Sequence, residues 1–373
     1  MTEPTLATSA AASGRKKHLR TWLGKLFLVA LTALICLLLF EWLVRLFLPT
    51  FHPARQVVFL RGIRRNAEGI MLGTPSTQVN QRTPKGDYDV TIRFNRHGFR
   101  DSKDHMQSTA KDIFVAGDSF SFGWGVQEEE RFSNLLENKL KSPVFNLAII
   151  EDIRGYGNTV SYAEKHGAQV RNLIVGVCME NDLLDYTKPI QTWDSPGDYE
   201  PVLTFRHRLA LWFRTHSALW ICVSYTVQRH AAFRHFFEMV GIARNVEDFT
   251  HNNEATPGVL TSSRDELLRY LTNYNSVVLI IPSRGLWAGK NMAVEQEVHK
   301  EFVELLHQAH LKVVDMKPIF EKAGDPLRFY FQTDPHWNSR GHTAAADALY
   351  QFLSSDQDWK NLLPPVILPR MAQ

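Results

Sequence analysis

Cysteine is scarce in this chain of 373 residues: only Cys36, Cys178 and Cys222 are present. No Cys-x-x-Cys pair occurs, which removes the common zinc spacings. A Cys178–Cys222 disulfide and two buried free thiols are both open, and buried thiols are the expectation. An excess of one charge is missing too. Lys and Arg total 42 and Asp and Glu 39, a net charge of +3. No zinc-finger, helix-turn-helix or arginine-rich pattern appears, so no nucleic-acid partner is expected. Gly117–Gly125 lacks the Lys of a phosphate loop and the spacing of a dinucleotide fingerprint. Gly-x-Ser-x-Gly is absent because Ser121 stands where the last Gly would be, which disfavours an α/β-hydrolase elbow. There is no His-Glu-x-x-His. His299, His307 and His310 fall on one helical stretch and read as solvent-facing. Nothing in the sequence completes a metal site around Asp334 and His336. No metal and no cofactor are expected.

What is present begins with an uncharged run near the N-terminus. Leu26 to Phe40 reads LFLVALTALICLLLF, and flanking apolar residues extend it on both sides. A membrane-spanning helix needs roughly 20 mostly apolar residues. Trp22 and Trp42 stand where interfacial aromatics sit. The run is long for a cleaved signal, and no Ala-x-Ala follows it. The expectation is a disordered basic cytoplasmic tail over 1–20 and an uncleaved anchor over 21–48. Basic residues are balanced in number across the run. They are denser before it, at Arg15, Lys16, Lys17, Arg20 and Lys25, so the main domain is expected outside, in the periplasm of a bacterial inner membrane.

Over 50–110 the pattern is irregular. Asp87–Asn95 alternates like a strand and Gly98 marks a turn, so a small β extension is expected. From 111 to 373 short apolar runs alternate with helical spacing. The runs are Ile113–Ala116, Val144–Ala148, Leu173–Met179, Val277–Ile281 and Leu311–Asp315. Helical stretches are expected at Arg131–Leu140, Tyr156–Val170, Val294–His310 and Gly341–Leu353. This rhythm implies a parallel sheet of five strands covered on both faces. An insertion at about 185–270 interrupts it. Its apolar, aromatic and basic middle reads as two helices packed on the domain, or as a lid or a helix on the membrane surface.

In open α/β sheets, ligands bind outside the carboxyl ends of the strands. Gly117-Asp118-Ser119 follows the first run. A loop with Gly155 and Gly157 follows the second, and Glu180-Asn181-Asp182 the third. Asp334-Pro335-His336 comes after the fifth. Together they supply a serine, loop N–H groups, a side-chain amide and an Asp with a His, the components of acyl transfer through serine. His336 is the expected base for Ser119, and Asp334 its orienting partner. The N–H groups of Ser119 and Gly155 and the Asn181 amide are the expected oxyanion donors. Asp118 is expected to cap or brace the turn.

GDSF at 117–120, the Asn181 of MEND and DPHWN at 334–338 resemble the motif blocks of the SGNH, or GDSL-type, hydrolases. The signature Ser, Gly, Asn and His map onto Ser119, Gly155, Asn181 and His336. The resemblance spans about 110–355 apart from the insertion. It implies a flavodoxin-like three-layer α/β/α sandwich and an acyl-serine intermediate. The triad spacing Asp334-Pro335-His336 is shorter than the Asp-x-x-His of many members. It is similar to that of bacterial relatives that modify exported polysaccharides. Extra residues between Asn146 and Gly155 leave Gly157 as an alternative. The expected activity is cleavage of acyl esters, acetyl included, on a cell-envelope carbohydrate. Two alternatives are O-acyl transfer to an exported polysaccharide and a silent scaffold.

Overall fold

The computed structural model describes residues 7–53, 62–83, 87–188, 209, 212–213, 215–229 and 255–362. Along the chain, α1 (Ala7–Phe47) precedes two hairpins, β1 (Ile63–Arg65) with β2 (Met71–Gly73) and β3 (Gln78–Arg82) with β4 (Asp89–Arg93). Then come β5 (Ile113–Gly117), α2 (Ser119–Phe122), α3 (Phe132–Leu140), β6 (Val144–Asn146), α4 (Ile153–Lys165) and β7 (Asn172–Cys178). Before β8 (Asn275–Ile281) lie α5 (Ala218–Arg229) and α6 (Pro257–Leu271). The chain continues through α7 (Met292–Gln308), β9 (Val313–Asp315), α8 (Met316–Lys322), α9 (Ser339–Ser355) and α10 (Gln357–Lys360).

The chain forms two compact units. The first comprises Met1–Gln56 and Leu203–His230. Within it, Trp22–Phe47 is a 26-residue stretch of mean hydropathy 2.6, long and apolar enough to cross a membrane. Its large apolar side chains are exposed around the helix, the pattern of a helix made for an apolar solvent. The expected disordered tail needs correction, because α1 is helical from Ala7 onward. The Ala-rich start has high helix propensity and simply extends a helix already nucleated.

Glu41, near the end of that stretch, accepts from the backbone N–H of Ala218 and of Leu219, both at 2.9 Å, and from Ser217 Oγ at 2.8 Å. It thereby satisfies the first N–H groups of α5, which helices leave unpaired. Arg45 pairs with Glu41 at 2.7 Å and reaches the His216 carbonyl. The insertion is therefore corrected in one respect: α5 forms a unit with α1. Residues 189–208, 210–211, 214 and 230–254 of the insertion lie outside the described residues.

The second unit comprises Val57–Val202 and Ala231–Gln373. Its sheet is all parallel in the order β6-β5-β7-β8-β9. That is second-first-third-fourth-fifth, the flavodoxin-like order. Every residue of β5 and β7 is buried, as expected of strands covered on both faces. Alternate residues point to opposite layers. Phe114, Ala116, Val175 and Ile280 pack with residues of α4, α6 and α7, while Val115, Ile174, Leu279 and Ile281 pack with α3, α8 and α9. The sheet and its two helical layers are the expected three-layer sandwich. The hairpins have their own small core of Ile63, Met71, Val90, Ile92 and Phe94, closed by Phe122, Ala148 and Ile149. His299 departs from expectation: it is buried on α7 with Nε2 3.1 Å from Asp315. All three cysteines are free, and Cys222 is only half-buried.

Candidate active site

Ser119 sits where β5 runs into a single helical turn. Gly117 has φ +147°, and the register sets it beside Gly176 of β7. A Cβ on either glycine would collide with Ser121 Oγ. The two glycines let α2 settle on the strand ends. Asp118 is the N-cap, accepting from Phe120 N–H at 2.9 Å, the expected bracing role. Gly123, at φ +87°, ends the turn. The turn is held from outside by buried Arg100, which donates to the carbonyls of Phe122, Gly123 and Val126. Asp101 accepts from Asn146 N–H at 2.7 Å, tying the same segment to β6.

The loop after the short 3-10 turn Pro326–Phe329 brings two more residues to Ser119. His336 Nε2 lies 2.7 Å from Ser119 Oγ, and His336 Nδ1 lies 2.6 Å from Asp334 Oδ1. Asp334 Oδ1 also accepts from His336 N–H at 3.0 Å. The short Asp-Pro-His spacing thus closes with one carboxylate oxygen serving both ring and backbone. Asp334, His336 and Ser119 form a continuous hydrogen-bonded line, largely withdrawn from solvent. Burial alone would raise the Asp334 carboxyl. The His336 ring and backbone donors and the Tyr88 hydroxyl outweigh it and hold Asp334 below the ordinary carboxylate range.

Three residues here carry no signal in the sequence. Tyr88 donates to Asp334 Oδ2 at 2.9 Å. Trp124 Nε1 donates to Tyr88 Oη at 2.6 Å, and its ring stacks on His336 at 4.9 Å and 18°. Asp87 accepts from the N–H and the hydroxyl of Thr333. Burial and then the Asp334 charge push the Tyr88 hydroxyl far up, so it stays a donor. Asp87 and Tyr88 belong to the β extension, which therefore contributes to the site.

The remaining expected residues divide. Asn181 stands just beyond β7, at the same sheet edge as Ser119, exposed, with its N–H on the Cys178 carbonyl at 3.4 Å. Gly155 is a correction. It lies in the first turn of α4, and its N–H donates to the N-cap Asp152 at 3.0 Å. It lines a hollow with Arg65, Glu151 and Asn158. A donor already committed to a helix cap is not free for an oxyanion. Gly157 is also inside α4, packed against Tyr270.

With this geometry in place, residues 259–365 match the family model of the SGNH hydrolase-like domain of the acetyltransferase AlgX. Residues 259–365 are thus similar to an SGNH hydrolase-like domain. The matched segment contains Asp334 and His336 and stops short of Ser119. Solved structures similar to the chain include a lipolytic G-D-S-L family protein from Veillonella parvula DSM 2008, at 10% identity and TM-score 0.37, over 66% of this chain and 99% of that one. A lipase/acylhydrolase from Enterococcus faecalis is similar at 10% identity and TM-score 0.36, over 68% and 97%. A two-domain esterase active on acetylated mannans is similar at 11% identity and TM-score 0.36, over 70% of this chain and 54% of that one. No curated protein sequence matches the chain.

Proposed function

We propose that the SGNH domain is a serine acyl-ester enzyme, held at a membrane by α1, that cleaves acyl groups from a carbohydrate of the cell envelope. The observation that carries this reading is the line Asp334–His336–Ser119. His336 Nε2 takes the Ser119 proton as Oγ bonds to the ester carbonyl carbon. Asp334 holds the ring and stabilises the imidazolium. The tetrahedral oxyanion is met by the Ser119 N–H and the Asn181 amide. Collapse breaks the bond to the alcohol, which leaves with the proton from Nε2. Water then gives its proton to His336, attacks the acyl-serine and releases the acid. Ser119 recovers its proton from Nε2. Trp124, stacked on His336, holds the ring in the plane that faces Ser119.

A second reading is favoured by the match at 259–365, whose family is named for an acetyltransferase. In that reading a sugar hydroxyl replaces water in the last step, and the acyl group is transferred to an exported polysaccharide. In this proposal the N-terminus lies in the cytoplasm and the SGNH domain in the periplasm. The denser positive charge before α1 supports this orientation.

The test uses the full chain in detergent with a fluorophosphonate probe. A Ser119 adduct, absent in Ser119→Ala and lost in His336→Ala, is the expected result. No adduct in folded protein would overturn the reading and favour a scaffold. p-Nitrophenyl acetate, with and without an oligosaccharide acceptor, then separates the two reactions. Acetylated sugar in the products assigns transfer.

A further inference from the structure

The segment between β4 and β5 folds back on itself through Asn95. Its Oδ1 accepts from His97 N–H at 2.9 Å and Phe99 N–H at 3.1 Å, and its Nδ2 donates to the Lys103 carbonyl. The fold-back sets His97 against Asp104 and His105. His97 Nε2 is 3.2 Å from Asp104 Oδ1, and the two imidazole rings are 4.4 Å apart. One donor atom from each of the three residues falls within 4.8 Å of the other two. His105 is 2% exposed, yet neither ring nitrogen has a hydrogen-bond partner among the described residues. Such orphaned groups are rare in folded proteins and call for a partner.

We propose that His97, Asp104 and His105 bind a divalent transition-metal cation of the zinc type, with solvent as fourth ligand. Imidazole and carboxylate are the donors such an ion takes, at bond lengths of about 2.0–2.2 Å. In a tetrahedron that places ligand atoms about 3.3 Å apart, close to the His97–Asp104 separation. Arg96 Nε donates to His97 Nε2 at 3.0 Å, so this nitrogen already offers its lone pair. The Arg96 guanidinium also pairs with Asp104 and is 60% exposed, so it is the cation a metal displaces. It does not bond to His105 among the described residues, and the metal would take up one of that ring's two orphaned nitrogens. The role is structural. The same segment carries Arg100 and Asp101, which hold the Ser119 turn, and the ion would fasten both its ends.

Metal-stripped, tag-free full-length protein in detergent is titrated with zinc ions, and with cobalt as a spectroscopic reporter. One equivalent should bind, cobalt should give the intense visible bands of a tetrahedral site, and zinc should raise Tm. His97→Ala and His105→Ala should each weaken binding tenfold or more. Arg96→Ala should tighten it by removing the competing cation. Should His105→Ala fail to fold, His97→Ala decides alone, since its ring lies nearer the surface. Absence of stoichiometric binding, or binding and a zinc-induced Tm shift that His97→Ala leaves unchanged, overturns the proposal.

Discussion

Tyr88→Phe removes one oxygen atom and tests whether the β extension serves the chemistry. The hydroxyl donates to Asp334 Oδ2 and accepts from Trp124 Nε1. A hydrogen bond to a charged group is worth about 1.5–3 kcal/mol. The buried carboxylate keeps its contacts with the His336 ring and backbone, so the variant should fold. It loses the contact that fixes the carboxylate plane. If most of that energy is expressed once His336 is protonated, kcat/KM falls roughly 10- to 100-fold. The assay is p-nitrophenyl acetate hydrolysis beside the rate of fluorophosphonate labelling, because both require the activated serine. With a donor gone, Asp334 rises toward its ordinary range. A lowered carboxyl contributes stability above that range and loses it as pH falls through the folded value. The Tm deficit of Tyr88→Phe should therefore shrink at acid pH. A double-mutant cycle with Trp124→Phe, which keeps the stacked ring and deletes the donor, should show a coupling of about 0.5–3 kcal/mol. Labelling and hydrolysis within threefold of wild type, with Ser119→Ala inactive, would refute the argument. Asp334 would then need no support from the extension.

Gly117→Ala should destabilise the fold by about 1–3 kcal/mol by denaturant unfolding and abolish labelling, since it combines φ +147° with a collision at Ser121. Gly125→Ala, at φ +76° and meeting both Tyr88 and Phe331 at 2.6 Å, should reproduce the Tyr88→Phe defect with an added loss of Tm. Asp118 is fully buried, and that burial raises its carboxyl to about 6. A raised carboxyl favours the fold below the ordinary carboxylate range and loses that contribution as pH rises through about 6. Asp118→Asn keeps the cap, and its thermal stability should exceed wild type by up to about 3 kcal/mol at pH 7.5 and match it near pH 4. Equal pH slopes in Tm for the two proteins would contradict this.

The sandwich was legible because its strands are fully buried. Val277–Ile281 and Leu173–Met179 are unbroken apolar runs, and their neighbours show helical spacing. Ser119 and His336 were legible because each sits in a local motif at a strand end or in the loop that reaches it. Gly155 was misread because a motif block does not say which N–H a glycine leaves free. Asp152, three residues earlier, opens α4 and takes that N–H; an Asp before a helical stretch was the available signal. Tyr88 was not legible. It meets Asp334 across 246 residues, and a lone aromatic in a strand pattern reads as core. His97, Asp104 and His105 lack a standard metal spacing, because the Asn95 turn, not a helix or a Cys-x-x-Cys knuckle, brings them together.

The sequence suggests a boundary near residue 110, and the structure gives reasons why the chain should not be cut there. Residues 57–110 and the sheet share one compact unit. A chain starting at residue 111 would uncover Phe122, Ala148 and Ile149, which close the hairpin core. It would also lose Arg100, whose guanidinium satisfies three carbonyls around the Ser119 turn, and Asp101, which accepts from Asn146. Each buried carbonyl left without its donor costs about 1–3 kcal/mol, so those three alone approach the 5–15 kcal/mol stability of an ordinary domain. A fragment from residue 57 should unfold cooperatively and label at Ser119. The fragment from 111 should do neither, as read by circular dichroism melting and fluorophosphonate labelling. A folded, labelled 111–373 fragment would mean that the sandwich and its serine turn stand without the extension. The contacts of Arg100, Asp87 and Tyr88 would then be refinements of the site and not conditions for it.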